Sequence, residues 1–256
     1  MESAKQIRTR SNSLSLLSIC AALFLCSVLQ AQEKCDVEVK LLLSPSQDQA
    51  AVAALNLKQG TTGIVYFFDT SALDLLSQGV IVRLRQGVDS DLTVKLRPSD
   101  GEKFSASPND QETFKCEVDF IGDGPNPAYS VKSKYSGNSI PQTGYDISRL
   151  LSSTQKNLLK ESRATIDWGR VERMVEIRAT TWQTKTLPHF NKLTLEQWEW
   201  PGARILELST RVGFSAGPAT YTELRDLAKS KQLSLSPDQR SKTSMVLENV
   251  THPSPR

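Results

Sequence analysis

Strand after strand in this chain would carry charge on one face and aliphatic side chains on the other. Asp36, Glu38 and Lys40 alternate with Val37, Val39 and Leu41, and Arg83 and Arg85 alternate with Val82 and Leu84. Thr93, Lys95 and Arg97 oppose Leu92, Val94 and Leu96; Glu117 and Asp119 oppose Cys116, Val118 and Phe120. Glu176 and Arg178 oppose Val175 and Ile177, and Glu207 and Ser209 oppose Leu206 and Leu208. Successive side chains of a strand point to opposite faces of its sheet, so each strand has one charged and one apolar face. An open antiparallel sheet with its charged face in water is one construction that fits. Two features favour another. The signs cluster, with basic strands (Arg83, Arg85, Lys95, Arg97) and acidic ones (Glu38, Glu117, Asp119, Glu207), and helical patterns are few for so much apolar surface. A barrel with its charged faces inward, and helices and loops packed outside, accounts for both. The fold class predicted is α+β, mainly β: an antiparallel closed tunnel barrel of about eight or nine strands with flanking helices.

Period-two patterning places strands over 36–43, 64–70, 80–86, 92–97, 113–120, 163–168, 172–182, 193–199 and 204–212. Helical spacing or caps mark 46–57, 71–76, 148–161 and 220–231. The Gly-, Pro-, Ser- and Asn-rich stretches 99–110 and 122–144 read as surface loops. The barrel domain is expected over 32–234. Residues 235–256, polar and holding Pro237, Pro253 and Pro255, read as a flexible C-terminal tail.

At the start, Lys5, Arg8 and Arg10 precede an apolar run from Leu14 to Leu29, which closes on Leu29-Gln30-Ala31. A basic start, a short apolar run and a small residue at the cut predict a signal peptide over 1–31, hence a secreted or periplasmic protein. The run is shorter than the roughly 20 residues a spanning helix needs, so no stable membrane span is expected after cleavage. The whole chain has 31 Lys+Arg against 28 Asp+Glu; without Lys5, Arg8, Arg10 and Glu2 the balance is 28 to 27. Near neutrality argues against a general attraction to nucleic acid, and no specific nucleic-acid partner is expected. Any anion site must arise from local arrangement.

A lumen lined with both signs has definite chemistry. Arg grips phosphate oxygens as a fork and Lys as a point charge. Carboxylates opposite would repel phosphate unless a hard cation lay between, and Mg2+ or Mn2+ suits oxygen ligands shared with phosphates. The combination suits a triphosphate- or polyphosphate-containing small molecule, and a metal there could polarise a phosphoryl group.

These residues also fall into a recognisable order. Asp36-Val-Glu38-Val-Lys40 resembles the Glu-x-Glu-x-Lys opening of the CYTH superfamily, the triphosphate tunnel metalloenzymes, which includes class IV adenylate cyclases and thiamine triphosphatases. Tyr66-Phe-Phe-Asp69-Thr70, followed by Gly79 and Val80-Ile-Val-Arg83-Leu-Arg85, is similar to a further stretch of that family. Leu92-Thr-Val-Lys95-Leu resembles its basic strand, Phe114-Lys-Cys-Glu117-Val-Asp119 its acidic strand, and Ile205-Leu-Glu207-Leu-Ser209 its late acidic strand. The resemblance spans about residues 36–212. It implies a tunnel barrel that binds triphosphates with Mg2+ or Mn2+. Carried onto matching positions, Glu38, Glu117 and Glu207 would be catalytic and metal-side carboxylates, with Asp119 and Glu196 as further metal ligands. Lys40, Arg83, Arg85, Lys95, Arg97, Lys160 and Arg163 would hold phosphate. Asp36 and Ser209 depart from the pattern, since both positions carry glutamate in the family.

Two cysteines follow the signal region, Cys35 and Cys116. Export makes one disulfide the expectation over two unpaired thiols. Each cysteine precedes an inward carboxylate (Asp36, Glu117), so both sulfurs would lie on the outer face. Elsewhere the chain offers little. His189 and His252 are far apart in loop-like sequence, there is no phosphate-binding glycine loop, and the four tryptophans read as packing residues. Asn249-Val-Thr251 matches a glycosylation sequon. The function expected is that of an exported protein binding triphosphate or polyphosphate in a charged tunnel, with metal-assisted hydrolysis. The alternatives are a non-catalytic polyanion-binding barrel and a structural barrel with an apolar lumen.

Overall fold

The computed structural model describes residues 35–99, 101–122, 124–137, 140–141, 144–185 and 187–252. The expected signal peptide over 1–31 lies outside the described residues. Nine strands form the sheet: β1 Asp36–Leu43, β2 Lys58–Asp69, β3 Val80–Gln86, β4 Asp91–Leu96, β5 Glu112–Ile121, β6 Gly124–Lys134, β7 Glu172–Thr184, β8 Leu193–Trp200 and β9 Ala203–Val212. They close into a barrel in the order β1-β5-β6-β4-β3-β2-β7-β8-β9. The barrel is mixed rather than purely antiparallel. β1 and β5 run parallel, with Asp36 opposite Glu117 and Glu38 opposite Asp119, whereas β1 and β9 are antiparallel. Three intervening strands supply the long crossover that a parallel pair needs.

Among the described residues, five α-helices flank the strands: α1 Asp48–Ala54, α2 Asp74–Ser77, α3 Ser153–Glu161, α4 Gly217–Ser230 and α5 Lys242–Thr251. Apolar faces go outward on most strands and meet these helices. Val37, Val39 and Leu41 join Leu206 and Leu208 under Leu55 beside α1 and Leu224 and Ala228 of α4. Val82, Leu84, Leu92, Val94 and Val131 pack under Leu75 of α2 and Leu158 and Leu159 of α3. The disulfide Cys35–Cys116 joins residues 81 apart, one step ahead of the paired Asp36 and Glu117, and lies in the outer cluster beneath α4. Both sulfurs thus lie on the outer face, as strand parity requires.

Four sequence expectations need correction. The stretch 122–144, read as a loop, contains β6, the strand that closes the barrel between β5 and β4. Its prolines misled the reading. Pro125 and Pro127 pair only with β5, and pairing with β4 begins at Tyr129, so a missing N–H on the free side costs no ladder bond. Gly122, at φ +57°, makes the tight turn into it. The strand expected over 163–168 is absent; a loop through Arg163 and a 3-10 turn at Trp168–Arg170 stand there. On β7 the faces are reversed, with Glu176 and Arg178 exposed and Val175, Ile177 and Ala179 inward. There the lumen is apolar.

That apolar end explains the largest correction. Residues 242–251, expected to belong to a loose tail, form α5, whose Val246 and Leu247 are buried against Phe67, Ile81, Ile121, Trp198 and Ile205. The segment leading to it is fixed along the chain's own barrel. Ser236 N–H donates to the Leu42 carbonyl at 2.9 Å. The Gln239 amide bonds both the N–H and the C=O of Leu42, at 3.0 and 2.8 Å. Trp200 Nε1–H donates to Asn249 Oδ1 at 3.1 Å, so the asparagine of the sequon is a packing contact of α5.

Candidate functional site

The barrel encloses a tunnel in two joined parts. One, a cavity of about 470 Å³, is lined by Phe67, Ile81, Ile121 and the start of α5. The other, about 820 Å³, opens away from it, and both share Lys40, Arg83, Thr93, Lys95, Trp198, Glu207 and Lys242. Strand alternation places these side chains inward: β3 presents Arg83 and Arg85, β4 Thr93 and Lys95, β5 Glu117, and β9 Glu207 and Ser209. The larger chamber has nine lysines and arginines against five carboxylates, an excess of four positive charges. A chain of near-neutral overall balance has thus concentrated its positive charge inside its barrel.

Asp119 anchors the basic cluster. Its carboxylate, 2 % exposed, accepts Lys40 Nζ at 2.7 Å and Lys95 Nζ at 3.3 Å, and is also bonded by Arg97. Burial opposes its ionisation, but Lys40, Lys95 and Arg97 hold its pKa well below the ordinary aspartate range. Burial likewise works against the Lys40 ammonium, yet Asp119, Glu38 and Glu207 raise its pKa. Lys95 is shifted down, by burial first and by Arg97 and Lys40 among its neighbours. Arg83 is pushed down to about 10, by burial and then by the charge of Arg85 beside it. Among the described residues, its near acceptors are Thr93 Oγ1 at 3.4 Å and Asp91 Oδ1 at 3.9 Å. The buried Nε–H groups of Arg83, Arg85 and Arg97 have no acceptor among the described residues. A guanidinium offers five donors, so this cluster holds more donors than the protein's own acceptors satisfy.

The carboxylates are distributed differently. Glu38 lies 3.3 Å from Lys40 and receives the Ser209 hydroxyl at 3.4 Å. Glu117 lies 3.4 Å from Arg211, 3.7 Å from Lys95 and 3.9 Å from Lys115. Glu196 and Glu207 are cross-strand partners on β8 and β9, and both are bonded by Lys242, Glu207 at 2.7 Å. Burial would raise the Glu196 pKa, but Lys242 and Arg85 bring it down to about 2. Asp36 lies exposed.

Of the residues singled out in the sequence, Glu38, Lys40, Arg83, Arg85, Lys95, Arg97, Glu117, Asp119, Glu196 and Glu207 all line this tunnel. Lys160 does not; it is exposed on α3, outside the barrel. Arg163 lines a separate groove with Glu102 and Arg97. Six charged lining residues of the larger chamber were not singled out from the sequence: Asp91, Lys115, Lys132, Lys192, Arg211 and Lys242. Asp91 and Lys115 share the alternating faces of Thr93 and Glu117, so parity alone could have found them. Lys132 lay in the stretch taken for a loop and Lys242 in the supposed tail. Lys242 has no local signal at all.

The Mg2+ or Mn2+ expected here can be tested against the carboxylates. Among the described residues, no three His, Cys, Asp or Glu converge as a metal-ligand group. Each of Glu38, Glu117, Asp119, Glu196 and Glu207 already faces a lysine or arginine. A divalent ion must displace those cations to gain its oxygen ligands, so the arrangement as it stands does not fit one.

Solved structures share this barrel. A candidate adenylyl cyclase from Hippeastrum, described as having a dominant triphosphatase activity, matches over 82% of this chain and 94% of its own, at 20% identity and a TM-score of 0.58. A candidate adenylate cyclase from Bacillus halodurans matches over 82% of this chain and 96% of its own, at 12% identity and a TM-score of 0.54. No family model and no curated protein matches the sequence. This chain therefore has the fold of these two structures, a closed tunnel barrel with inward-facing charges.

Proposed function

We propose that this protein binds a linear triphosphate or short polyphosphate inside the larger chamber of its barrel. One observation carries the reading: nine cationic side chains converge there on five carboxylates, with buried arginine donors left over. Unpaired buried donors and like-charge crowding are costly to hold in a fold. A polyanion relieves both at once. A linear polyphosphate can meet Lys40, Lys95, Arg83 and Arg85, which line the same chamber, and the more exposed Lys132, Lys115 and Arg211. An apolar ligand finds no such match in the charged chamber; the apolar side chains at the other end of the lumen pack against Val246 and Leu247 of α5.

Hydrolysis of the bound polyphosphate is the second reading, favoured by the fold shared with the Hippeastrum protein and its triphosphatase activity. We place both readings outside the cytoplasm. The basic and apolar start of the chain supports export, and so does the Cys35–Cys116 disulfide, a bond that persists in oxidising compartments.

Titration calorimetry of the mature protein with inorganic tripolyphosphate tests the binding, with phosphate release followed in parallel under magnesium, manganese and chelator. Saturable binding at one site, lost in Lys40→Ala, is the expected result. A folded protein that takes up no tripolyphosphate in any of these conditions would sink the proposal. Release that needs the tunnel side chains would establish the hydrolase reading.

A further inference from the structure

Lys242 is the first residue of α5, and its ammonium lies between two carboxylates of the sheet. Glu196 and Glu207 sit directly opposite each other on adjacent antiparallel strands, where like charges repel. Lys242 bonds both and stacks 4.4 Å over the Trp198 ring, with its side chain only 12 % exposed. The position is unfavourable in one respect, because a cation in the first turn opposes the helix dipole. The two carboxylates and the aromatic face outweigh that term. The remaining lumen carboxylates are likewise answered by fixed cations.

We propose that Lys242 is the chain's own counter-cation for Glu196 and Glu207, standing where a divalent metal would have to bind them, so that the tunnel takes polyphosphate as the free anion rather than as a metal chelate. The ligand half of this statement rests on the polyphosphate reading above; the cation half rests on the lysine and its two carboxylates alone. The physical consequence is a choice of substrate form. A magnesium-chelated triphosphate brings positive charge to a place already occupied by one, whereas the free anion meets an excess of cations with no competing ion.

Two probes separate the halves. Binding of Mn2+ alone, followed by loss of the free-ion EPR signal, is compared in wild type, Lys242→Ala, Lys242→Arg and Glu196→Gln/Glu207→Gln. Wild type and Lys242→Arg are expected to bind no more Mn2+ than the double variant, while Lys242→Ala gains a site at least about tenfold tighter. Tripolyphosphate affinity of wild type is then measured in chelator and in excess Mg2+, and chelator should weaken it by less than about twofold. Stoichiometric Mn2+ uptake by wild type that the double variant abolishes would overturn the assignment. So would a folded Lys242→Ala that gains nothing, or tripolyphosphate binding that requires Mg2+. Lys242→Ala leaves two buried carboxylates uncompensated, and should it fail to fold, the wild-type and Lys242→Arg measurements decide alone. If the Mn2+ results come out as expected and tripolyphosphate binds in neither condition, the counter-cation stands and the polyphosphate reading falls.

Discussion

Asp119 and Arg83 divide the work of the lumen between holding and binding. Asp119 gathers Lys40, Lys95 and Arg97 around one buried carboxylate, which fixes three long side chains before any ligand arrives. Arg83 has only long contacts of 3.4 and 3.9 Å, so its charge is free for a ligand. Arg83→Ala should therefore lower tripolyphosphate affinity by about tenfold to a hundredfold, the worth of a charge-assisted phosphate contact, with little change in melting temperature. Arg178→Ala, on the exposed face of β7, should leave affinity unchanged in the same calorimetric titration. The carboxylates set a pH dependence. Glu196 titrates at about 2 in the fold against 4.5 ordinarily, and Asp119 is also depressed. A depressed carboxylate contributes stability that is complete above its unfolded pKa and disappears as pH falls through the folded one. Melting temperature should thus hold above about pH 4.5 and fall steadily towards pH 2. Glu196→Gln should flatten part of that fall; an unchanged profile would mean the Glu196–Lys242 pair adds no net stability.

At the scale of elements, the loop before β3 positions the basic strands. Asp69, at the end of β2, accepts the N–H groups of Thr70, Leu75 and Leu76 and so fixes α2. Gly79 then turns the chain at φ +69°, where a Cβ would stand 2.3 Å from the Arg97 carbonyl oxygen. The Gly79 carbonyl accepts the Arg97 N–H at 2.8 Å, so the turn ties the start of β3 to the residue just past β4. Gly79→Ala combines a left-handed backbone with a backbone clash and should destabilise by about 1–3 kcal/mol in urea unfolding. It should also weaken tripolyphosphate binding, because Arg97 moves with that carbonyl. The Asp69-Thr70 and Gly79 positions of the family-like motif thus serve the placement of Arg83, Arg85 and Arg97 rather than touching the lumen chemistry themselves.

For the whole molecule, the barrel closes at a parallel seam that a covalent tie reinforces. β1 and β5 are neighbours in space but separated by three strands in sequence, and the Cys35–Cys116 bond lies at that seam. Closing a loop of 81 residues restricts the unfolded chain, so a Cys35→Ser/Cys116→Ser variant should lose about 2–4 kcal/mol in denaturant unfolding. Its barrel and its tripolyphosphate affinity should survive where it remains folded, since both sulfurs lie outside the lumen. Loss of affinity without loss of stability would show that the seam shapes the chamber directly.

How much of this was legible beforehand follows from which interactions are local. Alternation within a strand is a two-residue property, so the charged faces of β1, β3, β4, β5 and β9, and eight charged lumen residues upon them, could be read directly from the sequence. The resemblance motifs fall on those same strands. Which way a face turns is not local: β7 carries the same alternation as β1, yet its charges face water because the apolar end of the barrel lies behind it. β6 was hidden by prolines that only a one-sided pairing tolerates. Lys242 could not be found from its neighbours in sequence at all. Its place between Glu196 and Glu207 exists only because Val246 and Leu247 bury themselves in the barrel's apolar mouth. The sequence by itself determined a tunnel of charge; the tertiary structure alone decided that a lysine beyond the last strand would be one of its cations, because where an apolar helix face is buried depends on residues far away in sequence.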